Sequence, residues 1–326
     1  MSNVLAFNTQ ENTQTTIETE NTSLTAAKKF ATDASNSTDI QEAIEKAGLN
    51  WEVETKELYT TDGLLVPSRA IVRTDTDKLL GVVGSKYTPV QNKEAFGFFN
   101  DFLNSGSVKL ENAGSIGGGK RVFVQAKILN TEVSVVGDDT VQNYLTIGKA
   151  HDGSMALNIG FTPIRMFCAN QLNTVSNSAS SKMLKFRHTP KIHENIEQVA
   201  AILNLATQDF EATLEQYRYL AQHSITSAAQ LEEYVKLVFV GSNYKKLEEE
   251  GKTPASKIIT NVFELFESGR GADKTANTYW KAYNAINEYL NHERGSDDKK
   301  RFDSISFGDS KLVDLRALSI AMKLTA

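Results

Sequence analysis

Residues 144–189 read YLTIGKAHDGSMALNIGFTPIRMFCANQLNTVSNSASSKMLKFRHT, and this stretch decides the fold. Two strand patterns, at 144–148 and 155–161, flank His151-Asp152-Gly153. Asp-Gly is a tight-turn signal because glycine accepts positive φ, so the pair predicts a hairpin. Met155, Leu157, Ile159 and Phe161 alternate, and Pro163 is expected to close the run. Residues 167–175 are expected to form a short helix presenting Asn170, Gln171 and Asn173. A flexible Ser/Asn loop over 176–181 then leads to the basic exit Lys182, Lys185, Arg187 and His188.

Upstream, strands are expected at 51–58, 64–74 and 79–83, separated by Asp62-Gly63 and by the polar turn 75–78. A helix over 38–48 carries Ile40, Ala43, Ile44 and Ala47 on one face, with Thr38 and Gln41 at capping-box spacing. A second helix over 93–104 starts at an Asn92 cap and buries Phe96, Phe99 and Leu103. In residues 121–128, Val122, Val124, Ala126 and Ile128 alternate with Arg121, Phe123, Gln125 and Lys127, which predicts a strand with one wet face.

Downstream the period becomes helical. Patterns run over 191–223, through Leu231, Val235 and Val238 after a Ser227/Gln230 capping box, over 258–266, over 278–292 and over 312–324. The expected fold class is therefore α+β: an antiparallel β-sheet with packed helices, followed by a mainly helical C-terminal half. The expected organisation is a polar disordered tail (1–35), a sheet domain (36–190) and a helical region packed on the sheet (191–326).

Composition narrows function only by exclusion. The 326 residues carry a net charge of −5, which disfavours a protein held on duplex DNA by charge alone. Locally the balance reverses: residues 117–191 hold nine Lys/Arg against four acids. The single cysteine, Cys168, excludes an internal disulfide and fits a reducing compartment. No apolar run approaches a membrane span and the first residues do not read as a secretory signal, so a cytoplasmic protein is expected.

No complete catalytic or metal constellation is present. Residues 114–120 (GSIGGGK) fill the first seven places of a phosphate-cradling loop, but Arg121 replaces the magnesium-binding hydroxyl and a strand follows where a helix is needed. His188 and His193 lack the further ligands that structural zinc requires, and no cofactor is expected. His151-Asp152 has no marked nucleophile beside it.

Several ordered pieces carry a family resemblance. They are Trp51, residues 67–69, Gly81-Val82-Val83-Gly84 with Tyr87 and Gln91-Asn92, and Ala113-Gly114 with the glycine-rich turn. Asp152-Gly153, Cys168-Ala169-Asn170, Phe186-Arg187-His188-Thr189 and the 280–292 helix complete the set. Together they resemble the phage- and plasmid-like proteins catalogued as domain of unknown function 932. The resemblance implies work on DNA or interference with host defence, and supplies no catalytic residues. Strands followed by helices are also loosely similar to single-strand annealing proteins that assemble into rings.

Two functions are expected from these readings. One is a phage- or plasmid-encoded binder or annealer of single-stranded DNA. Its phosphate contacts would be Lys120, Arg121, Lys127, Lys149, Arg165, Lys185 and Arg187, with Phe123 among the stacking aromatics. The other is a protein-interaction module that inhibits a host factor or self-assembles as a homo-oligomer, without catalysis.

Overall fold

The computed structural model describes residues 31–97, 99–155, 157–166, 170–172, 184–186, 196–252, 255–295 and 297–326. It contains two antiparallel sheets. The larger is built from β1 (Thr32–Asp33), β5 (Val108–Ile116), β6 (Arg121–Ile128), β7 (Val133–Val136), β8 (Asp139–Ala150), β9 (Leu157–Arg165), β10 (Asn170–Gln171) and β11 (Leu184–Phe186). Its order is β1-β5-β6-β8-β9-β10, with β7 also on β8 and β11 also on β9. The smaller is the meander β2 (Val53–Tyr59), β3 (Leu65–Arg73), β4 (Leu79–Gly84).

Three short helices, α1 (Ile40–Lys46), α2 (Asn92–Gly97) and α3 (Phe99–Asn104), accompany the small sheet. The C-terminal half is helical: α4 (Ile196–Gln222), α5 (Ala228–Phe239), α6 (Tyr244–Glu249), α7 (Ser256–Ser268), α8 (Tyr279–Glu288), α9 (Asp298–Phe307) and α10 (Asp309–Thr325). The α+β class, with an antiparallel sheet and a mostly helical second half, is what the structure shows.

Three hydrophobic clusters form among the described residues, two large ones and a small one of Ile116, Phe123 and Phe302. Val122, Val124 and Ala126 of β6, Leu145 and Ile147 of β8, and Leu157 and Ile159 of β9 pack with Phe96, Phe99 and Phe102 and with Trp51, Ile71 and Leu80. The second core joins Val135 and Val141 to Trp280, Tyr283, Tyr217, Tyr234 and the apolar stripes of α4, α5, α7, α8 and α10. Burial of this much apolar area is the main force holding sheet to helices.

The middle of the β6 face expected to be wet is covered, and Arg121 and Lys127 at its ends stay partly exposed. Phe123 is fully buried, its ring 4.5 Å from that of Phe302 on α9. Gln125 is buried too, donating to Thr146 Oγ1 at 3.1 Å and accepting from Asn112 at 3.4 Å. Polar residues on this face are thus paid for by one another and by α9, not by water.

Other expectations shift in register or type. Asn92 lies inside α2 and caps nothing; its amide donates to Leu49 O at 2.9 Å, and Gln91 N–H is capped by Glu94. Asp39 caps α1 in place of Thr38. Pro163 does not end its strand. It pairs with Asn143 in β9, and its carbonyl accepts from Leu172 on the side away from β8, where a missing N–H breaks no β8–β9 ladder bond. Asn170 and Gln171 are strand, not helix, and are buried. β5, β7, α6 and α9 had no counterpart in the sequence reading. Thr32 and Asp33, placed in the tail, pair with Ala113 and Asn112 of β5; residues 1–30 of that tail, and the loop 176–181, lie outside the described residues.

The two sheets meet where β4 crosses the β8–β9 turn. A Cβ on Gly81 would stand 2.6 Å from Asp152 Cα, so only glycine lets the backbones approach. Gly81→Ala should cost about 1–3 kcal/mol by forced separation, measured by urea denaturation; an unchanged midpoint would contradict this contact.

Candidate functional site

The junction is held by a polar cluster at the end of β8. His151 N–H donates to Lys120 O at 2.7 Å, and His151 Nε2 lies 2.8 Å from Asn92 Oδ1. The imidazole is 5.0 Å from the Trp51 ring, whose other neighbour is the Arg73 guanidinium at 4.3 Å. Gln91 clamps β2, its amide bonding both Val53 N and Val53 O at 2.9 Å. Two residues before His151, Lys149 donates to the carbonyl of Val90. Burial pushes its ammonium down to about 7, the charge of Glu94 acting in the opposite direction. A neutral amine at that position is a base in principle. Lys149 is 1% exposed and already bonded, so the cluster ties residues 49–53 and 90–92 to β8.

A second polar knot lies at the other end of the same strand. Arg165 Nε and Nη2 donate to Asp139 at 2.7 and 2.8 Å, and Trp280 Nε1 donates to the same carboxylate at 2.7 Å. Arg165 also reaches Gly271 O at 2.8 Å and Arg270 O at 3.3 Å, fixing the glycine loop after α7.

The expected phosphate contacts and the stacking Phe123 are therefore dispersed. Phe123, Lys149 and Arg165 are interior, because each has a partner that removes it from solvent: Phe302, the Val90 carbonyl and Asp139. Arg121 is ion-paired with Asp303 on α9, and Lys127, at the far end of β6, is 3.7 Å from Glu132. Lys120 is exposed. Lys185 pairs in backbone register with Asn158 in β11. Arg187 and Cys168 lie outside the described residues. Of the six whose side chains are described, Lys120 alone is exposed rather than partly or fully buried.

What it exposes instead is apolar. Tyr59, Leu64, Leu65, Leu79 and Val82 are all more than half exposed, and all belong to the small sheet or its β2–β3 turn. β2 and β4 are the sheet's two edges. β2 carries Glu54, Lys56 and Glu57, whereas β4 has no charged side chain from Leu79 to Gly84. Charged residues are the usual guard against unwanted pairing at an edge, and β4 lacks them. Alternation in the sequence shows these strands, but it cannot say which apolar residues stay outside.

Among the described residues no helix is long and apolar enough to cross a membrane. No curated protein and no solved structure matches this chain. One family model does, over residues 79–313, a span that starts with β4, ends inside α10 and includes Asp139, Lys149, His151, Arg165 and Trp280 but not Trp51 or Arg73. The chain belongs to that family, described as Domain of unknown function (DUF932).

Proposed function

We propose that this chain is a non-catalytic protein-interaction module, of the kind a phage or plasmid carries against a host factor, and that it docks its partner on the small sheet. The observation that supports this is the exposure of Leu79 and Val82 on the uncharged β4 edge, with Tyr59, Leu64 and Leu65 exposed at the β2–β3 turn of the same sheet. Contiguous exposed apolar surface marks interaction sites. An edge strand adds the backbone hydrogen bonds of an incoming extended segment. The partner segment is extended and uncharged, with alternate apolar side chains meeting Leu79 and Val82.

Leu79→Lys/Val82→Lys tests this by placing two ammonium groups on the docking face while leaving the buried Leu80 and Val83 in place. Wild-type protein should retain one stoichiometric host protein through washing, and the double variant should lose at least tenfold in affinity for it with unchanged circular dichroism. Equal retention by the variant would refute the assignment.

A second reading, single-stranded DNA binding, keeps the support of exposed Lys120. Its signature is affinity that falls steeply with salt. Labelled oligonucleotide titrated from low to high salt separates the two readings.

A further inference from the structure

We propose that the β5–β6 turn, residues 117–120, is a binding site for a phosphate oxyanion, held by the N–H groups of Gly117, Gly118 and Gly119 and the ammonium groups of Lys78 and Lys120. The three glycines have φ of +62°, +69° and +101°, a run that side-chain-bearing residues rarely adopt. Their N–H groups have no acceptor among the described residues, because the hairpin ladder stops at the Ile116–Arg121 pair. Successive turn N–H groups of this kind form anion-binding concavities.

The surrounding side chains supply the charge. The Lys78 ammonium lies over Gly118, where any Cβ would collide with it. The stem of Lys120 folds back on Gly117, at 3.4 Å from a Cβ built there. Arg73 Nη1 and the Trp51 ring back Gly119, at 3.3 and 3.1 Å from a built Cβ. Lys56, Arg73, Arg121 and Lys127 all have carboxylate partners. Lys78 and Lys120 form no ion pair among the described residues. Asp75, a nearby acid, is occupied by Arg73 at 2.9 and 2.6 Å. The turn thus presents the exposed Gly117 and Gly118 with the buried Gly119 behind them, and two cations that form no ion pair among the described residues.

The turn is also fixed in place before any ligand arrives. The carbonyl of Lys120 accepts from His151 N–H, and Gly119 rests on Trp51. A strand follows it, and Arg121 at the next place is committed to Asp303. Those features provide no magnesium hydroxyl, so the site binds phosphate without the geometry for hydrolysing a nucleotide. The oxyanion could belong to a nucleic-acid backbone or to a free nucleotide; the chemistry recognised is the same.

Amide resonances of Gly117, Gly118 and Gly119 report on the site directly. Titration with inorganic phosphate should shift all three saturably. Lys78→Met/Lys120→Met, which alters only exposed side chains, should weaken that response at least tenfold. Titrations with an oligothymidylate and with a nucleoside triphosphate then identify the source, the tighter ligand being the natural class. Unmoved glycine amides with all three ligands, or equal phosphate affinity in the double variant, would overturn the proposal. None of these measurements depends on Leu79 or Val82, so the docking surface and the oxyanion site stand or fall separately.

Discussion

Asp139→Ala should lower the unfolding free energy by about 3–5 kcal/mol, the loss expected when one partner of a buried ion pair is removed. Arg165 and Asp139 are 2% and 0% exposed in their side chains. The carboxylate accepts two bonds from Arg165 and a third from the Trp280 indole. Its removal leaves a guanidinium in the interior without its carboxylate, with Arg270 O and Gly271 O among the partners that remain. Asp139→Leu/Arg165→Met removes both charges and should recover most of the loss, since paired charges and apolar replacements of similar volume are often close in energy. The residual deficit is the indole N–H left without its acceptor. Urea denaturation gives the stabilities, and hydrogen exchange in residues 269–271 should accelerate in the single variant. A loss below about 1 kcal/mol would mean the knot is dispensable.

The second large effect is a pH dependence centred on Lys149. In the unfolded chain its ammonium has an ordinary value of 10.5, and burial brings it to about 7 in the fold. Between these values the unfolded state binds the extra proton, so stability rises with pH, by up to about 1.4 kcal/mol per pH unit. Below pH 7 the native state must also carry the charge and that gain is gone. The groups that face Lys149 are the Val90 carbonyl and Glu94, whose carboxylate favours the charged form and moderates the shift.

Wild-type protein should therefore gain roughly 2–3 kcal/mol relative to Lys149→Met between pH 7 and 9.5. The window stops there because Tyr217, Tyr234 and Tyr283 are buried with phenols pushed well up, and they penalise folding once unfolded tyrosines ionise. Taking the difference between the two proteins cancels such shared contributions. Parallel stability curves across this window would show that Lys149 keeps its proton in the fold.

The strands that alternate against one core were legible in the sequence. β6 runs over the expected residues 121–128 because Val122, Val124, Ala126 and Ile128 face a single apolar layer. The Ser227 cap was equally legible, since a hydroxyl followed three residues later by an amide is a local signal; Ser227 accepts from Gln230 N–H at 3.3 Å. β5 was not, because its sequence, VKLENAGSI, mixes small and polar residues that become buried only through partners on α9 and β6.

The burial of Phe123, Lys149 and Arg165 was illegible for the same reason. A strand's polar face reads as solvent-facing unless something covers it, and the cover of β6 and β8 comes from Phe302, Asp303 and Trp280, more than 140 residues later in the chain. Basic residues that look like a groove in sequence were consumed as ion-pair and carbonyl partners. Exposure of Leu79 and Val82 was hidden by the converse ambiguity, since an apolar residue in a strand is by default read as core.

The late arrival of that cover has a consequence for synthesis. Arg121 meets Asp303 across 182 residues, and Gln171 meets Ser306 across 135. At ribosomal rates of about 5–20 residues per second, β6 waits roughly 10–40 s for its partner helix. During that interval Phe123 has no Phe302 to pack against and the strands of the large sheet stand half-dressed outside the exit tunnel. Contacts this distant in sequence also slow the search for the native state after release. The interval in which this apolar surface stands open ends only when α9 closes over the sheet.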